Sequence, residues 1–474
     1  MSINQILLFS AVIIISRFFH NTEMLRWVLF AISLIAIYWF QPLSSIRTLD
    51  FWLPTIVLIF SIFSWSIFYK NGSTSKNENL ISIILILLFF IILIVSRLLD
   101  LKWINSIVTN PNFSTLIVSM MVLLLLFLIS VRKRNTTRLF PAATIILILC
   151  ILVILKSQFL SLTMSIFLRR INGQLITLSA ASDFVWIGFS YFSFRLIHSI
   201  LDRERLIKLN ISLRDYLTYL LFFPSYIAGP IDRLENFEKQ IEFIDKKNTQ
   251  SDFINGFIRI IRGMLFKFII ADSLAIISLD SHIANQIVAT TWAWVIVYCY
   301  AFRIFLDFAG YTDIAVGIAE LAGITLSENF NRPYLSRNIT LFWNNWHITL
   351  TQWFRTYYFN PLTRFLRKNF GKLSPGFIIF FTQITTMVLI GLWHGISWNF
   401  VIWGLWNGIG LFLHNRWSAI VVPNIKVIRG LKETRWGNIA SVILNFNYIA
   451  IGWVWFALPS LKDSTLIFGK LFGI

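Results

Sequence analysis

The stretch LSPGFIIFFTQITTMVLIGLWHGISWNFVIWGLWNGIGLFLHN, Leu373–Asn415, decides the fold class. It contains no Asp, Glu, Lys or Arg over 43 residues, and a helix that crosses a bilayer needs roughly 20 mostly apolar residues. Because lipid offers peptide N–H and C=O groups no partners, such a segment has to be helical. The stretch therefore predicts two membrane-spanning helices joined by a tight turn near His394–Trp398.

Further apolar runs precede and follow this hairpin. Those before about Arg170 are almost uncharged, whereas those after it carry Gly, Pro, Ser, Asp and His. We therefore predict an all-α polytopic membrane protein of roughly 11–14 helices, some short or re-entrant. Hydrophobic transmembrane helices would occupy residues 1–170, and a membrane core residues 171–474. The other predicted spans are Ser2–Ile15, Trp27–Ile46, Phe51–Tyr69, Leu80–Ser96, Phe113–Val131, Leu139–Leu155, Asp183–Ile200, Tyr216–Pro230, Ile258–Leu279, Asn285–Phe302 and Trp436–Leu461.

The composition supports a membrane protein. Of the 474 residues, 57% are hydrophobic and only 13% are charged, against about 25% charged in a soluble domain. The net charge of +19 does not indicate nucleic-acid binding, because the positive residues cluster in short loops, as the positive-inside rule expects. The two cysteines, Cys150 and Cys299, lie in apolar runs and exclude a disulfide scaffold or a cysteine-based zinc site. The expected surroundings are the lipid bilayer of the cell membrane, crossed several times.

Four basic clusters suggest an orientation. We assign all four to the cytoplasmic face, and this assignment explains them without any further role. The clusters are Arg132, Lys133, Arg134 and Arg138; Arg203, Arg205, Lys208 and Arg214; Arg364, Arg367, Lys368 and Lys372; and Lys426, Arg429, Lys432 and Arg435.

The longest polar connection, Asp232–Asn255, has the pattern of an amphipathic interfacial helix.

Ionisable residues at membrane depth are costly and therefore functional candidates. Arg303 and Asp307 are four residues apart and could pair on one helix face, either for function or as a structural ion pair. If Phe342–Tyr357 is one helix, its aromatic wall carries one imidazole, His347. His394 lies between two glycines in GLWHGISWN. A histidine in a water-poor cavity can act as a general base, but each imidazole could instead be a hydrogen-bonded core residue.

Other sites are less promising. His20, His198, His282 and His414 lie near predicted helix ends, where an imidazole stays hydrated at little cost. Pro224, Gly229 and Pro230 are expected to break a helix. The broken segment either lines a cavity or marks the place where the chain leaves the membrane. Nucleotide-loop, H-E-x-x-H and nucleophile-elbow motifs are absent from the sequence. A metal site is not expected.

Four segments together resemble the membrane-bound O-acyltransferase (MBOAT) family. The longest is FLDFAGYTDIAVGIAELAGITLSENFNRPYLSRNITLFWNNWHITLTQWFRTYYFNPL, Phe305–Leu362. The others are FFPSYIAGPIDRLENF at Phe222–Phe237, GLWHGISWNFVIWGLWNG at Gly391–Gly408 and IGWVWFAL at Ile451–Leu458. The resemblance is strongest to the bacterial branch with alginate O-acetyltransferases, and more distant to the teichoic acid D-alanyltransferase.

The resemblance implies two catalytic histidines beside a central tunnel. His394 matches the family's presumed general base, and His347 matches the histidine that assists it or positions a substrate. Substrate-binding positions implied with them are Trp343, Trp346, Trp393, Trp398, Asn329, Asp307 and Asp313, the tryptophans lining the tunnel and excluding water. The chain departs from the family where Asn344 and Asn345 replace two arginines, where Thr356 replaces an aspartate, and where many relatives have a histidine instead of Asn407.

The resemblance also implies a reaction. An acyl group, expected to be acetyl, would move from a cytoplasmic thioester to a hydroxyl of a cell-envelope or secreted polysaccharide. The donor would be acetyl-coenzyme A or a carrier-protein thioester arriving at the cytoplasmic face, and no bound cofactor is expected. An acyl carrier protein and a separate extracytoplasmic transferase are the possible protein partners.

Three alternatives stay open. In the first, the chain is a relay subunit that hands the acyl group to that separate transferase. In the second, it is a proton-coupled transporter in which His347, His394 and Asp307 form the proton pathway. In the third, it is a non-catalytic scaffold for a polysaccharide synthase, which would tolerate the loss of both histidines.

We expect the loops Arg132–Arg138 and Arg364–Lys372 to face the same, cytoplasmic side, because both are compact and basic. Single-cysteine variants at Thr137 and Asn369 should therefore react with a membrane-impermeant thiol reagent from that side only. Labelling of the two positions from opposite sides would contradict this topology.

Overall fold

The computed structural model describes residues 1–18, 21–67, 76–99, 111–132, 139–206, 209–242, 250–425, 430 and 434–474. Over these residues the regular secondary structure is helical, with no strand. Five helices are long and apolar enough to cross a membrane, and a bent pair of helices supplies a sixth span if it counts as one. These findings confirm the predicted all-α polytopic membrane protein.

The helices are numbered here in chain order. Turns of π-helix at Leu265–Ala271, Arg355–Phe359 and Trp417–Val421 continue α13, α18 and α21. The helices are α1 Ile3–Phe18, α2 Thr22–Trp39, α3 Leu49–Trp65, α4 Lys76–Leu98, α5 Phe113–Arg132, α6 Leu139–Lys156, α7 Gln158–Ile171, α8 Phe189–Leu201, α9 Arg203–Leu206, α10 Leu213–Leu221, α11 Phe223–Tyr226, α12 Leu234–Glu242, α13 Gln250–Met264, α14 Asp272–Ala275, α15 Ser281–Gln286, α16 Thr290–Leu321, α17 Ile339–Asn345, α18 Ile348–Phe354, α19 Asn360–Asn369, α20 Pro375–His394, α21 Trp398–Arg416, α22 Val422–Asn424, α23 Arg435–Ala457 and α24 Leu461–Phe472.

The chain divides into two units. Unit 1 comprises Met1–Ile260 with Ile314–Leu326, and unit 2 comprises Ile261–Asp313 with Ser327–Ile474. The six apolar runs before residue 170 each carry one helix of unit 1, as the hydropathy predicts. Helix α2 starts at Thr22, earlier than expected, because the Asn21 side chain accepts a hydrogen bond from the Met24 N–H and caps its first turn.

A buried arginine stabilises the broken helix of unit 1. The chain interrupts its helix between α10 and α11, before Pro224, as the proline predicts. The guanidinium of Arg195 donates to the carbonyls of Tyr219 and Leu220, each at 3.1 Å, and to that of Ser225. The carbonyls freed by the break therefore have a partner inside the protein, which a membrane environment requires.

One prediction about the histidines of unit 1 is wrong. His198 is not at a hydrated helix end: it is buried, and its Nε2 shares a hydrogen bond with the Tyr219 hydroxyl. Within the predicted amphipathic segment Asp232–Asn255, α12 covers Leu234–Glu242 and buries Leu234, Phe237 and Ile241, while residues 243–249 lie outside the described residues. Several predicted residues lie outside the described residues, namely His20, Lys133, Arg134, Arg138, Lys208, Lys426, Arg429 and Lys432.

The acidic residues of α16 in unit 2 pair with cations distant in sequence. The Arg262 guanidinium donates two hydrogen bonds to Asp313, at 2.7 and 2.6 Å, and Lys267 donates to Asp307. Arg303 instead donates to the Ser278 hydroxyl at 2.8 Å. The predicted Arg303–Asp307 pair is therefore wrong, because a closer cation from another segment occupies the carboxylate.

The hairpin that decides the fold class is present as expected. Helices α20 and α21 pack against each other, and the turn between them covers Gly395–Ser397. The close packing depends on glycine: a Cβ atom on Gly404 would lie 2.6 Å from the Val388 Cα and 2.7 Å from the Met387 carbonyl oxygen. Both neighbours are backbone atoms, which cannot move aside by a side-chain rotation.

We expect Gly404→Val to destabilise the protein by about 1–3 kcal/mol or more, because overpacking forces the two helices apart. Thermal melting in detergent is the measurement. Gly376→Ala is the matched control on α20, since the nearest atom to its new Cβ would be 3.9 Å away. Equal melting temperatures for Gly404→Val and the unmodified protein would contradict the close packing of the hairpin.

Candidate functional site

His347 lies at a break between two helices of unit 2. Helix α17 ends at Asn345 and α18 begins at Ile348, so Phe342–Tyr357 is not the continuous helix assumed from the sequence. The backbone of His347 has a φ of +42°, in the left-handed region that non-glycine residues rarely adopt. Strained conformations of this kind concentrate at functional sites.

Asn329 satisfies the first peptide groups of α18. Its backbone carbonyl accepts from the Ile348 N–H at 2.9 Å. Its side-chain oxygen accepts from the Thr349 hydroxyl at 2.6 Å and from the Thr349 N–H at 3.4 Å. His347 occupies the N-cap position but makes no side-chain cap hydrogen bond.

The His347 imidazole is packed between aromatic rings. Its residue is only 3% exposed, and its ring centroid lies 4.7 Å from that of Phe308 and 6.2 Å from that of Trp393. Both contacts are edge-on. The imidazole therefore lies in a largely apolar, water-poor environment.

His394 approaches the same tryptophan from the end of α20. Its ring centroid lies 4.5 Å from that of Trp393, 4.8 Å from that of Phe456 and 5.9 Å from that of Trp403. The two imidazole centroids are therefore at most about 11 Å apart, the sum of their distances to Trp393. The two histidine motifs converge, on different helices, around one indole ring.

Two other predicted tryptophans contribute to this aromatic cluster. The Trp343 indole donates to the Asn407 side-chain oxygen at 3.2 Å and packs edge-on against Trp403 at 5.7 Å. Trp346 is buried and lies 5.1 Å from Trp453. Asn407, which the sequence marked only as a departure from the family, thus positions Trp343.

Three other residues predicted to bind substrate have different surroundings. Trp398 is 71% exposed at the start of α21. Asp307 and Asp313 are held in ion pairs with Lys267 and Arg262. Their carboxylates stabilise the packing of α16, and the contact with His347 comes instead from the neighbouring Phe308.

Two residues that depart from the family motif, Asn344 and Asn345, form hydrogen bonds with residues near them. The Asn344 side-chain oxygen accepts from the Arg355 guanidinium at 2.8 Å. The Asn345 side-chain amide donates to the Ser336 hydroxyl at 3.2 Å. Arg355 was not among the site residues predicted from the sequence.

A cavity of about 210 Å³ lies close to the aromatic cluster. The residues that line it include Trp343, Thr351, Arg355, Gln383 and Thr386, and the surface they present to the cavity is mostly apolar. Trp343, which lines the cavity, packs on Trp403, and Trp403 packs on His394.

His414 is farther from this cluster, at a second and more open pocket of about 430 Å³. Its Nδ1 shares a hydrogen bond with the Thr340 hydroxyl at 3.0 Å and its Nε2 with the Ser418 hydroxyl at 3.2 Å. These bonds correct the expectation that His414 is hydrated and has no partner. His414 therefore lines a pocket other than the one beside Trp343.

A family comparison confirms the resemblance drawn from the motifs. The model of MBOAT, the membrane-bound O-acyltransferase family, matches residues 137–456, which include both histidines. This match covers more than half of the chain.

Individual relatives agree with the family match. The chain is 34% identical over 288 residues to the probable alginate O-acetylase of Azotobacter vinelandii, a match covering 60% of this chain and 54% of the relative. It is 31% identical over 286 residues to the teichoic acid D-alanyltransferase of Bacillus subtilis, covering 57% and 68%. It is 32% identical over 263 residues to the peptidoglycan O-acetyltransferase of Helicobacter pylori, covering 55% and 47%. The chain thus spans about half the length of the alginate relative.

Proposed function

Because the chain belongs to the membrane-bound O-acyltransferase family, we propose that it is an acyltransferase of the cell membrane. The acyl group is expected to be acetyl, and the acceptor a hydroxyl of a cell-envelope or secreted polysaccharide. The names of the relatives specify alginate, teichoic acid and peptidoglycan, which supports this class of acceptor. The observation that carries the proposal is the convergence of His347 and His394 on Trp393.

His394 is the proposed general base. As the acceptor hydroxyl oxygen attacks the thioester carbonyl carbon, the imidazole takes the hydroxyl proton. The tetrahedral intermediate then collapses, the carbon–sulfur bond breaks, and the leaving thiolate takes up that proton. The products are an ester and a free thiol, so the enzyme ends each cycle in its starting state.

His347 is proposed to form a hydrogen bond with a reacting oxygen, either the developing oxyanion or the acceptor hydroxyl. An imidazole N–H can donate to the developing oxyanion or orient the acceptor hydroxyl, and such preorganised donors are worth most where water is excluded. The burial of His347 between Phe308 and Trp393 supports this role. The aromatic rings would also keep water from hydrolysing the thioester.

The cavity beside Trp343 is the proposed route for the thioester arm. We place the donor, acetyl-coenzyme A or an acyl carrier protein, at the cytoplasmic face, because the basic cluster Arg364–Lys372 is assigned there. Arg355 lines the cavity and supplies a positive charge to an anionic donor. If a separate extracytoplasmic transferase takes the acyl group, the same site would serve as a relay.

The direct test uses purified protein with acetyl-coenzyme A labelled in the acetyl group. Label that appears on a polysaccharide hydroxyl supports the transferase. Label that is lost from the thioester only when a partner transferase is added supports the relay. Neither thioester cleavage nor label transfer, with either donor form and with candidate polymers present, would contradict the proposed function.

We expect His394→Ala to abolish transfer and His347→Ala to reduce it strongly. A general base contributes about 10²–10⁴-fold to the rate, and an oxyanion donor contributes a similar factor. His282→Ala is the matched control, because this exposed histidine lies outside the site. The rates are measured with the same radiolabel assay beside thermal melting in detergent.

The two variants also test the assignment of roles. A folded His394→Ala protein with near wild-type transfer would exclude His394 as the base. A dead His347→Ala protein beside an active His394→Ala protein would reverse the two roles.

The route through the cavity makes a separate prediction. Thr386→Phe should block transfer, because the larger ring fills space in a cavity of about 210 Å³ that Thr386 lines. Among the described residues the Thr386 hydroxyl bonds within its own helix, to the Thr382 carbonyl, so the lost bond costs little. Thr385→Phe, one residue away and outside the lining, is the control. Equal rates in the two variants would contradict this route.

A further inference from the structure

Asn329 caps the first turn of α18, a role that the residue at the helix's own N-cap position usually fills. An N-cap side chain normally accepts a hydrogen bond from a peptide N–H of the first turn. In α18 the residue at that position is His347, whose side chain makes no such bond. Asn329, 18 residues earlier in the chain and completely buried, accepts from both Ile348 and Thr349 instead.

These bonds bear directly on the backbone of His347. The residue has a left-handed φ of +42°, which costs free energy for any side chain with a Cβ atom. Such a conformation persists only where surrounding structure over-determines it. The next two residues, Ile348 and Thr349, are tied to Asn329 by three hydrogen bonds at 2.9, 3.4 and 2.6 Å.

We propose that Asn329 is a positioning residue for His347. It caps α18 from a separate loop and holds the His347 backbone in its left-handed conformation, which sets the position of the imidazole. The proposal rests on the acyl-transfer function above and replaces the earlier expectation that Asn329 binds substrate directly.

The hydrogen-bond network also orients the Asn329 amide. A peptide N–H can only donate, so the atom that faces the Thr349 N–H is the side-chain oxygen, and the NH₂ group points elsewhere. Within the described part of the chain this NH₂ group has no acceptor. Asn329→Asp therefore keeps the acceptor that caps α18 and removes no hydrogen bond of the described fold. Because Asn329 is completely buried, the carboxyl group of this variant is expected to stay protonated, since burying an ionised group is costly.

The first experiment is a double-mutant cycle on the transfer rate. Asn329→Ala should lower the rate about 10²-fold, the size of effect expected when a catalytic group is misplaced by about 1 Å. Asn329→Asp should stay within a few-fold of wild type. In a His347→Ala background, Asn329→Ala should cause no further loss, because a positioning residue acts through the group it positions. A full second loss in that background would overturn the proposal.

The second experiment does not depend on activity. Diethyl pyrocarbonate modifies accessible imidazoles, and peptide mass spectrometry reports the rate at each histidine. His347 is 3% exposed and should react slowly in wild type and in Asn329→Asp, but several-fold faster in Asn329→Ala. The exposed His282 should react equally in all three. Unchanged protection of His347 in Asn329→Ala would overturn the proposal even if no acyl transfer is detected in wild type.

A further pair of variants covers the case in which Asn329→Ala fails to fold. Thr349→Val removes the hydroxyl that donates to Asn329 at 2.6 Å and keeps the side-chain shape, whereas Thr349→Ser keeps the hydroxyl. The proposal requires faster modification of His347 in the valine variant and protection in the serine variant. Equal protection in both variants would contradict it.

Discussion

A bilayer supplies no hydrogen-bond partner to a peptide group, and the candidate site exists because buried side chains supply those partners instead. Three helix ends show this. Asn329 accepts from the first turn of α18. Arg195 donates to the carbonyls of Tyr219 and Leu220 at the end of α10 and to that of Ser225 in α11. Asn399 donates to the carbonyls of Leu458 and Ser460 beyond the end of α23. Without such partners a helix in lipid would have to continue, and neither histidine motif could turn.

Local patterns predicted the helices well and their interruptions less well. Hydropathy located the hairpin of α20 and α21 and the N-terminal spans, because burial in lipid depends on composition alone. It did not show the break before Ile348, since Trp346 and His347 are not helix breakers and the partner that permits the break, Asn329, comes from another segment. The same reason explains the wrong ion pair. The spacing of Arg303 and Asp307 is correct for a pair on one helix. The tertiary structure places Lys267 beside Asp307 instead, and sequence spacing cannot predict that contact.

Motif residues were predictable as a set, but their individual roles were not. His347, His394, Trp343 and Trp346 do gather around shared indole rings. The lost arginines put an anionic contact beside His347 in doubt, yet Arg355 reaches Asn344 and lines the cavity.

The surroundings of the two histidines bear on the choice between acyl transfer and proton transport. A proton pathway needs a series of groups that take up and release protons, and Asp307 was the carboxylate predicted for it. That carboxylate is paired with Lys267, while the neighbours found against His347 include two aromatic rings, Phe308 and Trp393. Aromatic carbon conducts no protons but does exclude water. A reaction that hydrolysis would waste, and that needs one base and one donor, gains from such an enclosure, which supports the proposed acyl transfer.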